Sequence, residues 1–199
     1  GDAAPECVGR QELLLAQPIG RIEALLGRAA GLYAALAGVA LAGFGAAGVL
    51  IAATAGTHGM GGYILSARGA TAVGFAGLGC GILLGVLARR RTTAVGWALA
   101  AWFALAILYD LAAIGVLQIA GNGEPGPWLV ALLAANPIDG VRAIALVGLG
   151  ADVLLGPTGA ALQRLMGPGK GALIVTTAVA LWVALPPAIA ALRYQRRDF

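Results

Sequence analysis

The chain has 199 residues, 60% of them hydrophobic and only 11% charged, with a formal net charge of +4 and a mean hydropathy of +0.88. Such a balance lies far outside soluble globular composition and defines an all-α, polytopic membrane protein. The partners expected of such a chain are the lipid bilayer and other proteins, with no nucleic acid among them.

The first 28 residues hold the one long amphipathic, charged stretch and read as a cytoplasmic elbow. Pro5 sits where a helix can start, Glu6 and Glu12 flank Arg10, and Leu13, Leu14 and Leu15 make an apolar patch before Pro18 ends the turn. Ile19, Ile22, Leu25 and Leu26 then fall on one face of a second helix, with Arg21 and Arg28 on its rim. That segment is expected to lie along the headgroups before the chain turns inward, either as an interfacial anchor or as a docking surface for a soluble partner.

Four apolar stretches long enough to cross a hydrocarbon core follow, at about residues 30–55, 69–88, 94–120 and 171–192. Between the first two, residues 56–67 read as a Gly-rich loop carrying His58, the single histidine, and Ser66, the single serine. Gly77, Gly81 and Gly85 recur every four residues on the second span, a ridge for close helix approach within the bundle or to a second copy of the chain. Trp97 and Trp102 lie near one end of the third span and Asp110 in its middle, the one ionisable residue deep in a span. An acid there must face protein or water, as a cavity-lining or gating residue or as a structural acid with a hydrogen-bond partner. Tyr109, next to it, points elsewhere on the helix.

Residues 121–170 do not contain another crossing. Trp128 to Ala135 is apolar but far too short, Asn136-Pro137 ends it, and Arg142 and Asp152 bracket a short helical run, so the region reads as an external interfacial or re-entrant segment. Pro186-Pro187 is expected to kink the last span. Basic residues cluster before span one, at Arg89 to Arg91 after span two, and at Arg193, Arg196 and Arg197 after span four, against only Arg68, Arg142, Arg164 and Lys170 on the other side. By that asymmetry both termini are cytoplasmic.

No enzyme chemistry is assembled. Cys7, Cys80, His58, Met60 and Met166 are scattered, so no metal site is expected, no cofactor is implied, and Gly169-Lys170-Gly171 lacks the hydroxyl residue of a phosphate loop. Asp110 has no second carboxylate or histidine within a span, which argues against an intramembrane enzyme.

Glu6, Gly9, Glu12, the leucine run and Pro18 resemble the coupling box of export-type ABC transporter permeases, with Arg10 and Gln11 departing from the Thr and Leu common there. Pro18-Ile19-Gly20-Arg21 with Leu25-Leu26-Gly27-Arg28, Trp102-Phe103 with Tyr109-Asp110-Leu111, and Pro127-Trp128 through Asn136-Pro137-Ile138-Asp139 to Arg142 are similar, in order and spacing, to the permease family of the transporter that serves nitrous oxide reductase maturation. The resemblance implies a bacterial inner-membrane permease that works as a homodimer with soluble ATPase subunits and an external partner protein, in assembly of that reductase's copper–sulfur centre. It implies coupling roles for Glu6, Gly9, Glu12, Leu13 to Leu15, Pro18 and Arg21, and six spans, two of them ahead of this elbow. The alternative is a non-transporting subunit of a respiratory or photosynthetic membrane complex, whose glycine-rich helices only pack against neighbours.

Overall fold

The computed structural model describes residues 20–88, 90–119, 126–150, 163–165 and 170–195, all but the short connections helical. The elements are α1 (Arg21–Ala55), α2 (Met60–Leu87), α3 (Arg91–Phe103), a π-helical turn (Ala104–Leu108), α4 (Tyr109–Ile119), α5 (Gly126–Ala135), α6 (Pro137–Gly148) and α7 (Lys170–Gln195). Four helical stretches are long and apolar enough to cross a membrane: Ile22–Ala55, Met60–Leu87, Arg91–Val116 and Lys170–Gln195. The third of these is α3, the π turn and α4 in series.

α1 begins where Glu23 Oε2 accepts the Gly20 amide at 3.0 Å, supplying one orphan donor of the first turn with a partner. It then runs without a break for 35 residues, about 52 Å, which exceeds a 30 Å hydrocarbon core. The sequence places an inward turn near residue 28; the structure places none, because nothing between Arg21 and Ala55 breaks the helix and each residue added to it retains its backbone hydrogen bond. Gly56 (φ +80°) and Gly59 (φ +84°) close the link to α2, a conformation other residues rarely adopt. That link is four residues long, so Gly61, Gly62 and Ser66 stand in α2 and not in the expected loop. Ser66 and Thr71 donate to the carbonyls of Gly62 and Ala67 at 2.9 and 2.8 Å, so neither hydroxyl is stranded in apolar surroundings.

α2 is the central helix, packed against α7, α6, α1 and α3. The contacts that let it be central are glycine contacts. A Cβ on Gly69 would lie 2.5 Å from Val141 Cγ1, and one on Gly79 would lie 2.8 Å from Pro187 Cδ and 2.9 Å from the Tyr33 hydroxyl. Tyr33 and Phe75 meet edge to face at 5.3 Å beside that junction. By contrast, a Cβ on Gly77, Gly81 or Gly85 would meet nothing within 4 Å among the described residues, so the close glycine contacts of the described helices fall on other positions than this ridge. The four-residue spacing marks a smooth face; which smooth face is covered depends on how α1, α6 and α7 are arranged around it.

α5 and α6 bend by 117° at Asn136. Their contacts fix their depth. Val130 of α5 lies by Gly171 at the start of α7, Val141 of α6 by Gly69, and Gly148 and Leu149 by Gly62 and Leu65 near the start of α2. Both ends of the pair therefore lie at the level where α2 and α7 begin, while Val141 in the middle of α6 lies about 13 Å along α2, nearly half of a hydrocarbon core. The segment expected to be interfacial or re-entrant has the re-entrant geometry. Ala143 and Val175 are buried at its centre, with Val130, Leu133, Ile144, Val147 and Leu165 around them. α7 continues as one helix through Pro186 and Pro187, and Pro187 occupies the space that Gly79 leaves open. Large apolar side chains such as Val39, Leu41, Val49 and Leu173 point outward, each at least 70% exposed, the inside-out arrangement that a lipid solvent permits.

Candidate functional site

Asn136 is the one polar side chain among the described residues that is fully buried, with 0% exposure. It caps α6: its Oδ1 accepts the Ile138 amide at 3.1 Å, its carbonyl accepts the Gly140 amide at 3.0 Å, and Pro137 fills the first helical position, where no amide is needed. Its Nδ2 donates twice, to Asp139 Oδ2 at 2.9 Å and to the carbonyl of Leu105 at 2.8 Å.

The second bond leaves the re-entrant pair and enters the π turn of the third span. Widening a helix from four-residue to five-residue hydrogen bonds takes one carbonyl out of the ladder. Leu105 lies in that turn, and Asn136 supplies the donor. The same turn sets the register of α4. Tyr109 Oη donates to the Leu132 carbonyl on α5 at 2.8 Å, and Asp110 Oδ2 lies 3.3 Å from Arg142 Nη1 on α6. Arg142 Nη1 also lies 3.4 Å from Asp139 Oδ1, so a single guanidinium nitrogen serves two carboxylates.

Asn136, Pro137, Asp139, Arg142 and Asp110, which the sequence singles out separately, thus form one cluster. Asp110 is paired with a base, a partner that the sequence reading did not weigh. Tyr109 is no partner of Asp110, but it joins the same cluster through Leu132. Trp128 stays apart, 64% exposed at the start of α5. The coupling residues Glu6, Gly9, Glu12, Leu13, Leu14, Leu15 and Pro18 lie outside the described residues, and of Arg21 only the backbone, the first turn of α1, is described. What the sequence reading missed is the π turn and the charge pairing. A single acid in one span and a single base in the adjacent segment is the signal that points to the pairing; nothing in Ala104–Leu108 announces the turn.

Between α4 and the re-entrant pair lies a cavity of about 270 Å³. Ile114, Leu129, Leu132 and Leu146 give it apolar walls, and Tyr109, Asp110, Asp139 and Arg142 give it a polar end. Two acids and one base leave a formal charge of −1 there. The Arg142 and Asp110 side chains are 56% and 37% exposed and Asp139 only 13%, so the ion pair is on the cavity side and the Asn136–Asp139 contact on the protein side.

Four membrane-crossing helices and a re-entrant pair packed on them define a polytopic helical membrane protein. The model of the ABC-2 family transporter proteins matches residues 9–199, nearly the whole chain. The chain belongs to that family: it is a membrane permease of an ABC transporter, a transport component rather than a catalytic subunit, and its ATPase is a partner. Among individual curated proteins none matches it. Membership sets aside the alternative of a passive subunit of a respiratory or photosynthetic complex.

Proposed function

We propose that this permease is an export-type force relay in which residues 1–28 receive the stroke of a cytoplasmic ATPase and the spans deliver it to the re-entrant pair. Within the elbow, Glu6, Glu12 and Arg21 supply the polar contacts, Leu13 to Leu15 the apolar one, and Gly9 and Pro18 the shape. The observation that carries this reading is the tie between Asn136 and Leu105: a crossing helix is hydrogen-bonded directly to the one element that enters and leaves on the same side. Both termini are cytoplasmic in this reading, which the basic residues support: Arg10, Arg21, Arg28, Arg89 to Arg91, Arg193, Arg196 and Arg197 on that side outnumber Arg68, Arg142, Arg164 and Lys170 on the other.

In the finer reading the permease is a homodimer in a bacterial inner membrane, works with an external partner protein, and serves assembly of the copper–sulfur centre of nitrous oxide reductase. The Asn136-Pro137-Ile138-Asp139 stretch and its spacing to Asp110 support that reading. Copurification with the ATPase tests the relay: Glu6→Ala combined with Ser at positions 13 to 15 abolishes it, and full association of that variant overturns the proposal. For the finer reading, cells lacking this permease make a reductase without the absorption of its copper–sulfur centre; a normal spectrum rejects it.

A further inference from the structure

The two halves of the third span have different neighbours. α3 packs on α2, the central helix, whereas α4 beyond the π turn packs on α5. The links that hold α4 are polar: the Tyr109–Leu132 hydrogen bond and the Asp110–Arg142 ion pair. The cavity lies between α4 and the re-entrant pair, so its width is set by how α4 stands against them.

We propose that α4 is a gate on this cavity, hinged at the π turn Ala104–Leu108, with Asn136 as the hinge pin and the Arg142–Asp110 pair as the latch. The inference rests on the permease reading, since a transporter needs an element that moves relative to a fixed frame. Pin and latch are built differently. The Asn136–Leu105 bond is 2.8 Å long and its side chain fully buried, as suits a point that stays fixed. The latch is longer, 3.3 Å, and its guanidinium is more than half exposed, so its contacts can be exchanged for water or for a ligand. A π turn suits a hinge because one backbone carbonyl there is already held from outside the helix, and a change of helix direction does not strand it. When α4 swings away with Asp110, Arg142 keeps Asp139 as its counter-ion, and Asp110 exchanges the guanidinium for the water of the cavity. The fixed frame is the glycine-tight packing of α6 on α2 and α7, where Gly69 abuts Val141 and Gly140 abuts Val175.

The test is distance measurement by paired spin labels in the permease–ATPase complex in vesicles, with Cys7→Ser and Cys80→Ala removing the native thiols. One label pair joins Val116 on α4 to Leu149 after α6; the other joins Leu99 on α3 to Leu149. Asp110→Asn is expected to broaden the first distribution or shift it by about 2 Å or more and to leave the second unchanged. Tyr109→Phe, which removes only a hydroxyl, gives a smaller change in the same pair. A first distribution that stays as narrow as in the parent protein in both variants overturns the gate. So does an equal shift in both pairs, which would mean that α3 and α4 move as one rod. If ATP moves neither distance in the parent protein while Asp110→Asn still frees α4, the gate stands and the force relay fails.

Discussion

Asn136 carries more of the structure than any charged residue does. Replacing it by Ala removes the α6 cap and leaves the Leu105 carbonyl and Asp139 Oδ2 without their donor, a loss of about 2–4 kcal/mol. Ser at the same position keeps the cap but cannot reach Leu105, and is expected to cost less. Thermal unfolding in detergent, followed by loss of helical circular dichroism, gives the order parent, Asn136→Ser, Asn136→Ala. Charge removal in the cluster is asymmetric for a related reason. Asp110→Asn leaves Arg142 with Asp139, and for a pair this exposed the cost is about 0.2–1 kcal/mol. Arg142→Met leaves two neighbouring carboxylates, one of them largely buried, with no counter-ion and is the more damaging change. The same unfolding measurement checks the order; equal effects from the two variants would mean that Arg142 does not hold both acids.

Among the helices, α2 shows how a composition rich in small residues becomes a specific packing. Gly79→Ala places a methyl group against Pro187 and the Tyr33 hydroxyl, and Gly69→Ala places one against Val141; each is expected to cost about 1–3 kcal/mol through overpacking. Gly77→Ala and Gly85→Ala meet no atom of the described residues and leave the monomer's stability unchanged or slightly raised by helix propensity. Unfolding midpoints of the four variants, measured on the monomer in detergent, separate the two classes. A loss at Gly77 equal to that at Gly79 would contradict the packing of α2 against α6 and α7. Helix continuity has a similar logic: α7 tolerates Pro186 and Pro187 because Gly79 yields room for the second ring.

For the molecule as a whole, the proposed orientation makes a direct prediction. A cysteine at His58, in the exposed link between α1 and α2, reacts with a membrane-impermeant maleimide added outside intact cells, whereas one at Thr92, at the start of α3, reacts only after the membrane is opened. The reverse pattern inverts the protein, places the re-entrant pair in the cytoplasm and removes the basis for the force relay.

Membrane residence, four crossings and a segment too short to cross in one run were legible in residue order alone, because in lipid each backbone group must find its partner locally and hydropathy follows that demand. The sequence also marked Asp110, as the acid deep in a span, and Asn136, Pro137, Asp139 and Arg142, through the resemblance of the external segment. It could not say that they meet. Asp110 and Arg142 are 32 positions apart, and their distance depends on a 117° bend at Asn136 and on a π turn in a run of Ala, Leu and Ile with no breaker in it. Which glycines are in close contact was likewise settled only by the fold. A glycine's neighbours belong to other helices, and local periodicity describes the face that a helix offers but not the one its partners choose.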